Sequence, residues 1–191
     1  MELADITVIY VLHLVGYWLP VAAYYLQDPR RWSLECALTV LRNHVLYTPF
    51  LLPLLVYSPS SHLRTLHIVW QIPLGILLTD VMFYPLHRLL HLPRLYRYHA
   101  AHHTWEVPIP ASALYADAFE HCFVNMLPPV LAILITRMNI WVAGIWALIG
   151  SINTVVAHAQ EGQHTDHHRY RNCNYGVGLM LMDRVFNTNR K

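Results

Sequence analysis

The sequence predicts an all-α integral membrane protein of about four transmembrane helices with a histidine-rich cap at one end. Three observations predict it. First, of 191 residues 55% are hydrophobic and 13% charged, against about 25% charged in ordinary soluble domains. Mean hydropathy is +0.32. A soluble chain of this size struggles to bury so much apolar surface, whereas a bilayer solvates it. Second, apolar runs long enough to cross a bilayer recur along the chain. Third, the 14 histidines outnumber the 13 lysines and arginines, and eight of them fall in three short clusters.

Ile6 to Leu26 is apolar apart from His13, is rich in Tyr and Trp, and has the length of one crossing. Without a basic leader or a small-residue cleavage site, it reads as a retained membrane segment and not a removed signal peptide. Asp28-Pro-Arg-Arg31 ends it. Leu34 to Tyr57 is a second run, interrupted by Arg42, Asn43 and His44 and by Pro49 and Pro53. It reads either as a bent span or as a re-entrant segment. Ser58-Pro-Ser-Ser61 reads as a turn. His67 to Leu86, Ala113 to Thr136 and Trp141 to Ala157 are the remaining runs. The polar turn Arg137-Met-Asn139 joins the last two into a transmembrane hairpin.

The chain therefore reads as one membrane domain over 1–191. It divides into N-terminal membrane segments (1–66), a helix with the first two His clusters (67–103), the hairpin (104–163), and the third cluster with its tail (164–191). Cys36, Cys122 and Cys173 are far apart and form no CxxC pattern, so free thiols are expected.

Basic residues predict orientation. Arg30, Arg31, Arg88, Arg94, Arg97, Arg169, Arg171, Arg184, Arg190 and Lys191 fall on the histidine side, and only Arg64 and Arg137 at the opposite ends. That bias puts the histidines in the cytosol. A net charge of +2, with the basic residues scattered, gives no case for nucleic acid.

His87-Arg-Leu-Leu-His91 sets two imidazoles one helical turn apart, because positions three and four apart share a face. His99-Ala-Ala-His102-His103 and His164-Thr-Asp-His167-His168 carry the same kind of spacing. A lone histidine on a helix is usually an ordinary core or surface residue. Three clusters require that accident three times, and imidazole is the commonest metal-ligating side chain, so the pattern predicts a metal site. The hairpin takes the chain out and back to the side it left, which places all three clusters on one membrane face. Asp80 lies inside an apolar run, where an ionisable group faces protein or water. It shares a helix line with Tyr84, His87 and His91. It reads either as an anchor for a ligand's ring N–H or as a packing carboxylate paired elsewhere.

Asp80-x-x-x-Tyr84-x-x-His87-Arg88-Leu-Leu-His91, His99-x-x-His102-His103 and His164-x-x-His167-His168 together resemble the fatty acid hydroxylase/sterol desaturase superfamily. So do Asn174-Tyr175-Gly176 and Asp183-Arg184-Val-Phe186-Asn-Thr188, and the likeness runs from Arg42 to Thr188. The resemblance implies four transmembrane helices, a cytosolic cap holding two metals, and hydroxylation or desaturation of a lipid using dioxygen. It implies His87, His91, His99, His102, His103, His164, His167 and His168 as ligands, with His158, in Asn153-Thr-Val-Val-Ala-His158, as an additional one. The implied metal is a pair of iron ions, because the family's oxygen chemistry requires a redox metal. Imidazole also suits zinc, which can displace iron in a purified sample.

The resemblance further implies a substrate delivered from the bilayer. A sterol comes first, from the Asn174-Tyr175-Gly176 ending and the compact chain, and a fatty acyl chain or sphingolipid next. The sequence carries no flavin or dinucleotide fingerprint, so electrons are expected from outside: cytochrome b5 and its reductase, or a ferredoxin in a bacterial host. The membrane is the endoplasmic reticulum in a eukaryote and the inner membrane in a bacterium. Two departures stand out. Asp117-Ala-Phe-Glu120 occupies the place where the family often has His-Pro-x-x-Glu. Asp117 then serves either as an oxygen ligand or as a helix-start residue, and Glu120 as a ligand or a support for one. Only five residues separate His158 from His164, so the lid over the metals is expected to be reduced.

Attack on an unactivated C–H bond needs an oxidant that no side chain supplies, and a dioxygen-binding metal centre supplies it. Two alternatives are weighed against this. A metal-dependent hydrolase would show a His-Glu-x-x-His helix, and none is present. A non-catalytic metal- or lipid-binding member of the same fold draws support only from Asp117 and the short loop.

Overall fold

Apolar length without polar interruption gives long helices, and prolines divide what remains. The computed structural model describes residues 3–57, 65–176 and 178–190, with the backbone alone at 57 and 65–68, and these described residues contain no strand. The helices are α1 (Leu3–Gln27), α2 (Leu34–Arg42), α3 (Thr65–Leu90), α4 (Ala118–Thr136), α5 (Ile140–Ala159), α6 (Gln163–Tyr170) and α7 (Leu181–Val185). Of these, α1, α3 from Val69, α4 and α5 are long and apolar enough to cross a membrane, in line with the predicted fold class. The expected turn at Ser58–Ser61 lies outside the described residues.

The second apolar run is broken. After α2, capped by Ser33 Oγ accepting from Cys36 N, the chain makes a π turn (Asn43–Tyr47), one α turn (Thr48–Leu51) and a 3-10 stretch (Leu52–Tyr57). Pro49 and Pro53 remove amide donors, and the winding changes from α to π, back to α and then to 3-10 while every residue stays helical. Cys36 and Val40 pack with Tyr17, Val21, Leu114 and Val155, whereas Leu55 packs with Ile6, Ile9, Ile133 and Met138. The run therefore descends through the bundle from the cap end to the far end.

α1 and α5 run side by side in the same direction. His13 Nδ1 lies 2.7 Å from Ser151 Oγ, and Gln160 Nε2 donates to Tyr24 Oη at 3.3 Å. Gly16 lets the backbones touch: a Cβ there would sit 2.5 Å from the Leu148 carbonyl oxygen. Small residues serve this purpose between membrane helices. Gly16→Val is expected to wedge the pair apart, at about 1–3 kcal/mol for overpacking. The readout is thermal unfolding in detergent, with a Tm lower by about 2–10 °C; an unchanged Tm would refute this close contact.

The α4–α5 hairpin turns at Arg137, which adopts the left-handed conformation (φ 56°), and Asn139 caps α5 by accepting from Trp141 N and Val142 N. Gln71 of α3 donates to the Thr136 and Arg137 carbonyls, which ties the far ends of α3 and α4. At the cap end the sequence expected a helix from Ala113, but α4 begins at Ala118. Pro110–Leu114 is instead a 3-10 turn pressed into the core, held by Tyr17 Oη donating to the Ala111 carbonyl at 2.6 Å. Asp117 Oδ1 then accepts from Phe119 N at 2.8 Å and starts α4.

Candidate metal centre

Nine histidines meet at the cap: His87 near the end of α3, His91, His99, His102 and His103 on the connection after it, His158 near the end of α5, and His164, His167 and His168 on α6. His87, His91, His99, His103 and His167 form one group, and His102, His158, His164 and His168 form a second. Within each group, one ring nitrogen per residue lies within 4.8 Å of all the others. The consecutive pairs His102-His103 and His167-His168 are divided between the groups. Neighbouring residues in a helical turn point about 100° apart, so a His-His doublet serves two adjoining sites. The sites do adjoin: the His103 and His168 ring centroids are 4.6 Å apart.

Ring orientation follows from where each Nδ1 finds a partner. His87 Nδ1 donates to the Tyr175 carbonyl at 2.7 Å, and His167 Nδ1 to the Cys173 carbonyl at 2.7 Å. His158 Nδ1 donates to the Thr154 carbonyl at 2.8 Å, and His168 Nδ1 to the Trp105 carbonyl at 3.0 Å. His99 Nδ1 meets Glu120 Oε1 at 2.8 Å. A neutral imidazole that donates through Nδ1 carries a lone pair on Nε2. The Nε2 atoms within each group face one another. His87 Nε2 is 3.0 Å from His99 Nε2, His103 Nε2 is 3.1 Å from His167 Nε2, and His164 Nε2 is 2.9 Å from His158 Nε2 and 3.2 Å from His168 Nε2.

Both members of the His87–His99 contact have spent their ring hydrogen elsewhere, so two lone pairs oppose each other. A cation between them turns that repulsion into ligation. The spacing fits one: ligand nitrogens about 2.0–2.1 Å from a metal stand about 2.9 Å apart in an octahedron and about 3.4 Å apart in a tetrahedron. The buried His91 Nε2, His102 Nδ1 and His103 Nδ1 have no hydrogen-bond partner. The donor set and its orphaned nitrogens thus fit metal ions, with one candidate position per group.

Burial keeps these rings neutral. It is the largest cause holding His91 and His168 down to about 2 and His167 to about 3, with neighbouring imidazoles adding to it. His102, His103 and His164 are lowered in the same direction for the same reasons. Neutral imidazoles are the form that binds metal.

The three carboxylates singled out in the sequence take different places. Glu120 supports His99 and is not a member of either group. Asp117 is the cap of α4, with its carboxylate committed to Phe119 N, and it stands outside both groups. Asp80 does not anchor an imidazole: His87 Nδ1 is already taken by Tyr175, and Asp80 Oδ2 accepts from Leu181 N and Met182 N in the C-terminal tail. The carbonyls of Trp105, Cys173 and Tyr175 were not foreseen; the motif Asn174-Tyr175-Gly176 was their only trace in the sequence. A second imidazole set, His13, His44 and His121, is also buried but is bonded to Ser151, Trp18 and Thr48 within the bundle.

The sequence profile of the family described as fatty acid hydroxylase matches residues 72–188, which holds every one of these nine histidines. The chain belongs to the fatty acid hydroxylase family. Among the curated relatives of this chain, a fatty acid hydroxylase of Mycosarcoma maydis is 32% identical over 71% of this chain and 40% of its own length. Fatty acid hydroxylase domain-containing protein 2 of Homo sapiens is 34% identical, over 59% of this chain and 36% of its own length. The Delta(7)-sterol 5(6)-desaturase of Candida dubliniensis is 36% identical, over 65% of this chain and 35% of its own length. The chain therefore spans at most about two fifths of these relatives. No solved structure matches it.

Proposed function

We propose that this fatty acid hydroxylase family member is a dioxygen-dependent membrane oxidoreductase that hydroxylates or desaturates a lipid at a pair of iron ions. The observation that carries the reading is the convergence of buried Nε2 atoms in two adjoining groups, with facing pairs 2.9 to 3.2 Å apart. The five-histidine and four-histidine groups would each hold one ion. Bound iron supplies the dioxygen-dependent oxidation that no side chain can perform.

The remaining work falls to the chain itself. Carbonyls and Glu120 fix the rings, so that the Nε2 atoms are aimed before an ion arrives. Burial excludes water and protons from them. A cavity of about 210 Å³ reaches His164 between α5 (Asn153, Val156, Ala157), Gln163 and the tail (Gly176, Met180), and it is the candidate place for the lipid carbon. A sterol is the first candidate substrate, supported by the Asn174-Tyr175-Gly176 ending and the likeness to a sterol desaturase. Fatty acyl and sphingolipid substrates come next. Electrons come from a separate donor such as cytochrome b5 and its reductase. The arginine bias supports a cytosolic cap, in the endoplasmic reticulum of a eukaryote or the inner membrane of a bacterium.

Comparative lipid mass spectrometry of cells with and without the chain tests this. A hydroxylated or newly unsaturated lipid that depends on the chain is expected. Identical lipid profiles, with the chain present, iron-loaded and supplied with donor, would instead favour a non-catalytic member of the fold.

A further inference from the structure

The C-terminal tail supplies ring-orienting carbonyls to the two histidine groups unequally. In the five-histidine group, His87 and His167 are oriented by carbonyls of tail residues, Tyr175 and Cys173. In the four-histidine group, His158 and His168 are oriented by Thr154 and Trp105, which lie outside the tail.

Two fully buried carboxylates hold that tail in place. Asp183 accepts from Tyr175 N at 2.8 Å and Gly176 N at 2.6 Å, and from Thr188 Oγ1 at 2.7 Å. Asp80 reaches across from α3 to Leu181 N and Met182 N, at 3.1 and 3.2 Å. Asp183 thus grips the amide just before the carbonyl that orients His87, while Asp80 ties the tail to the helix that carries His87 and His91. Gly176 lies between the two acids: a Cβ there would stand 2.7 Å from Asp183 Oδ2 and 3.3 Å from Asp80 Oδ1. Asn174 adds to the clasp, its N–H donating to the Thr188 carbonyl and its Oδ1 accepting from Arg190 N.

We propose that this clasp selects between the two ion sites: Asp183 and Asp80 are positioning residues for the ion of the five-histidine group and not for the other. The proposal rests on the two-ion reading above. It assigns a role to the Asp183-to-Thr188 motif, which makes no contact with the rings through its own side chains but sets the carbonyls that do. A carbonyl released from its place leaves a ring free to turn, and the loss of such a support typically weakens metal affinity about 10–100-fold.

The test uses the full chain in detergent, stripped of metal and titrated with zinc(II), with stepwise affinities read by chelator competition and bound metal by elemental analysis. The unaltered chain is expected to bind two ions. In Asp183→Asn one ion should weaken about 10–100-fold and the other keep its affinity. Asp80→Asn, and Gly176→Ala between the two acids, should produce the same one-sided loss, so the outcome does not hang on a single variant. Combined with His158→Ala, which removes the four-histidine ion, Asp183→Asn should leave only weak binding. Combined with His167→Ala, it should leave the four-histidine ion untouched. Equal weakening of both ions, as from general loosening of the fold, overturns the proposal, and so does unchanged affinity for both. Failure of the unaltered chain to bind two zinc ions would overturn the two-ion reading itself, a result separate from either of these.

Discussion

His102→Ala and His167→Ala are each expected to abolish the lipid product and each to remove one ion, a different one in each case. His102 belongs to the four-histidine group and His167 to the five-histidine group. Each ring is buried. If oxidation requires both ions, either loss should reduce product below detection by lipid mass spectrometry, while elemental analysis falls from two ions to one. His121→Gln is the matched control. Its ring is equally buried but faces Thr48 Oγ1 at 2.8 Å, outside both groups, so both ions should remain. A product that persists in His102→Ala and His167→Ala at the unaltered level would end the oxygenase reading.

Metal removal is the second large effect. An ion that binds the folded chain alone stabilises it by about 2.7 kcal/mol at a hundred times its Kd. Stripping two ions is therefore expected to lower Tm by roughly 10 °C or more, at about 2–4 °C per kcal/mol for a chain of this length. Acid should reproduce part of the loss. In the folded protein, burial holds His91, His167 and His168 at about 2 to 3, whereas in the unfolded chain an imidazole titrates near its ordinary value of about 6.5. Below about 6.5 the unfolded state then binds more protons than the folded one. Stability is full above that pH and declines as pH falls toward the folded values; protons also compete directly with metal for the same nitrogens. Thermal unfolding from pH 8 to pH 5, with and without chelator, checks both points. A Tm indifferent to chelator at pH 8 would refute the ion-dependent part, and one indifferent to pH the proton-dependent part.

Much of this was legible in the sequence because it is periodic. Apolar runs set the long helices, and spacings of three and four set imidazoles on common faces, so the convergence of His87 through His168 followed from local geometry plus one hairpin. What was not legible depended on backbone atoms. No side-chain pattern announces that the Tyr175 carbonyl orients His87 or that the Trp105 carbonyl orients His168. Asp80 was visible as a costly buried charge, but its partners are amides about a hundred positions away, and the helix line it shares with His87 pointed to the wrong neighbour. The start of α4 was misplaced for a related reason. Ala113 continues the apolar run in composition, yet Pro110 and the cap at Asp117 decide where helical hydrogen bonding begins.

The broken passage over residues 34–57 bears on how the molecule is made. Its pieces are each too short to enter a bilayer as an independent helix. Asn43 finds its acceptors at Leu114 and Ala116, Thr48 meets His121, and Leu55 packs on Ile133 and Met138, all in parts of the chain synthesised much later. The passage therefore reaches its final contacts only when α4 is in place beside it.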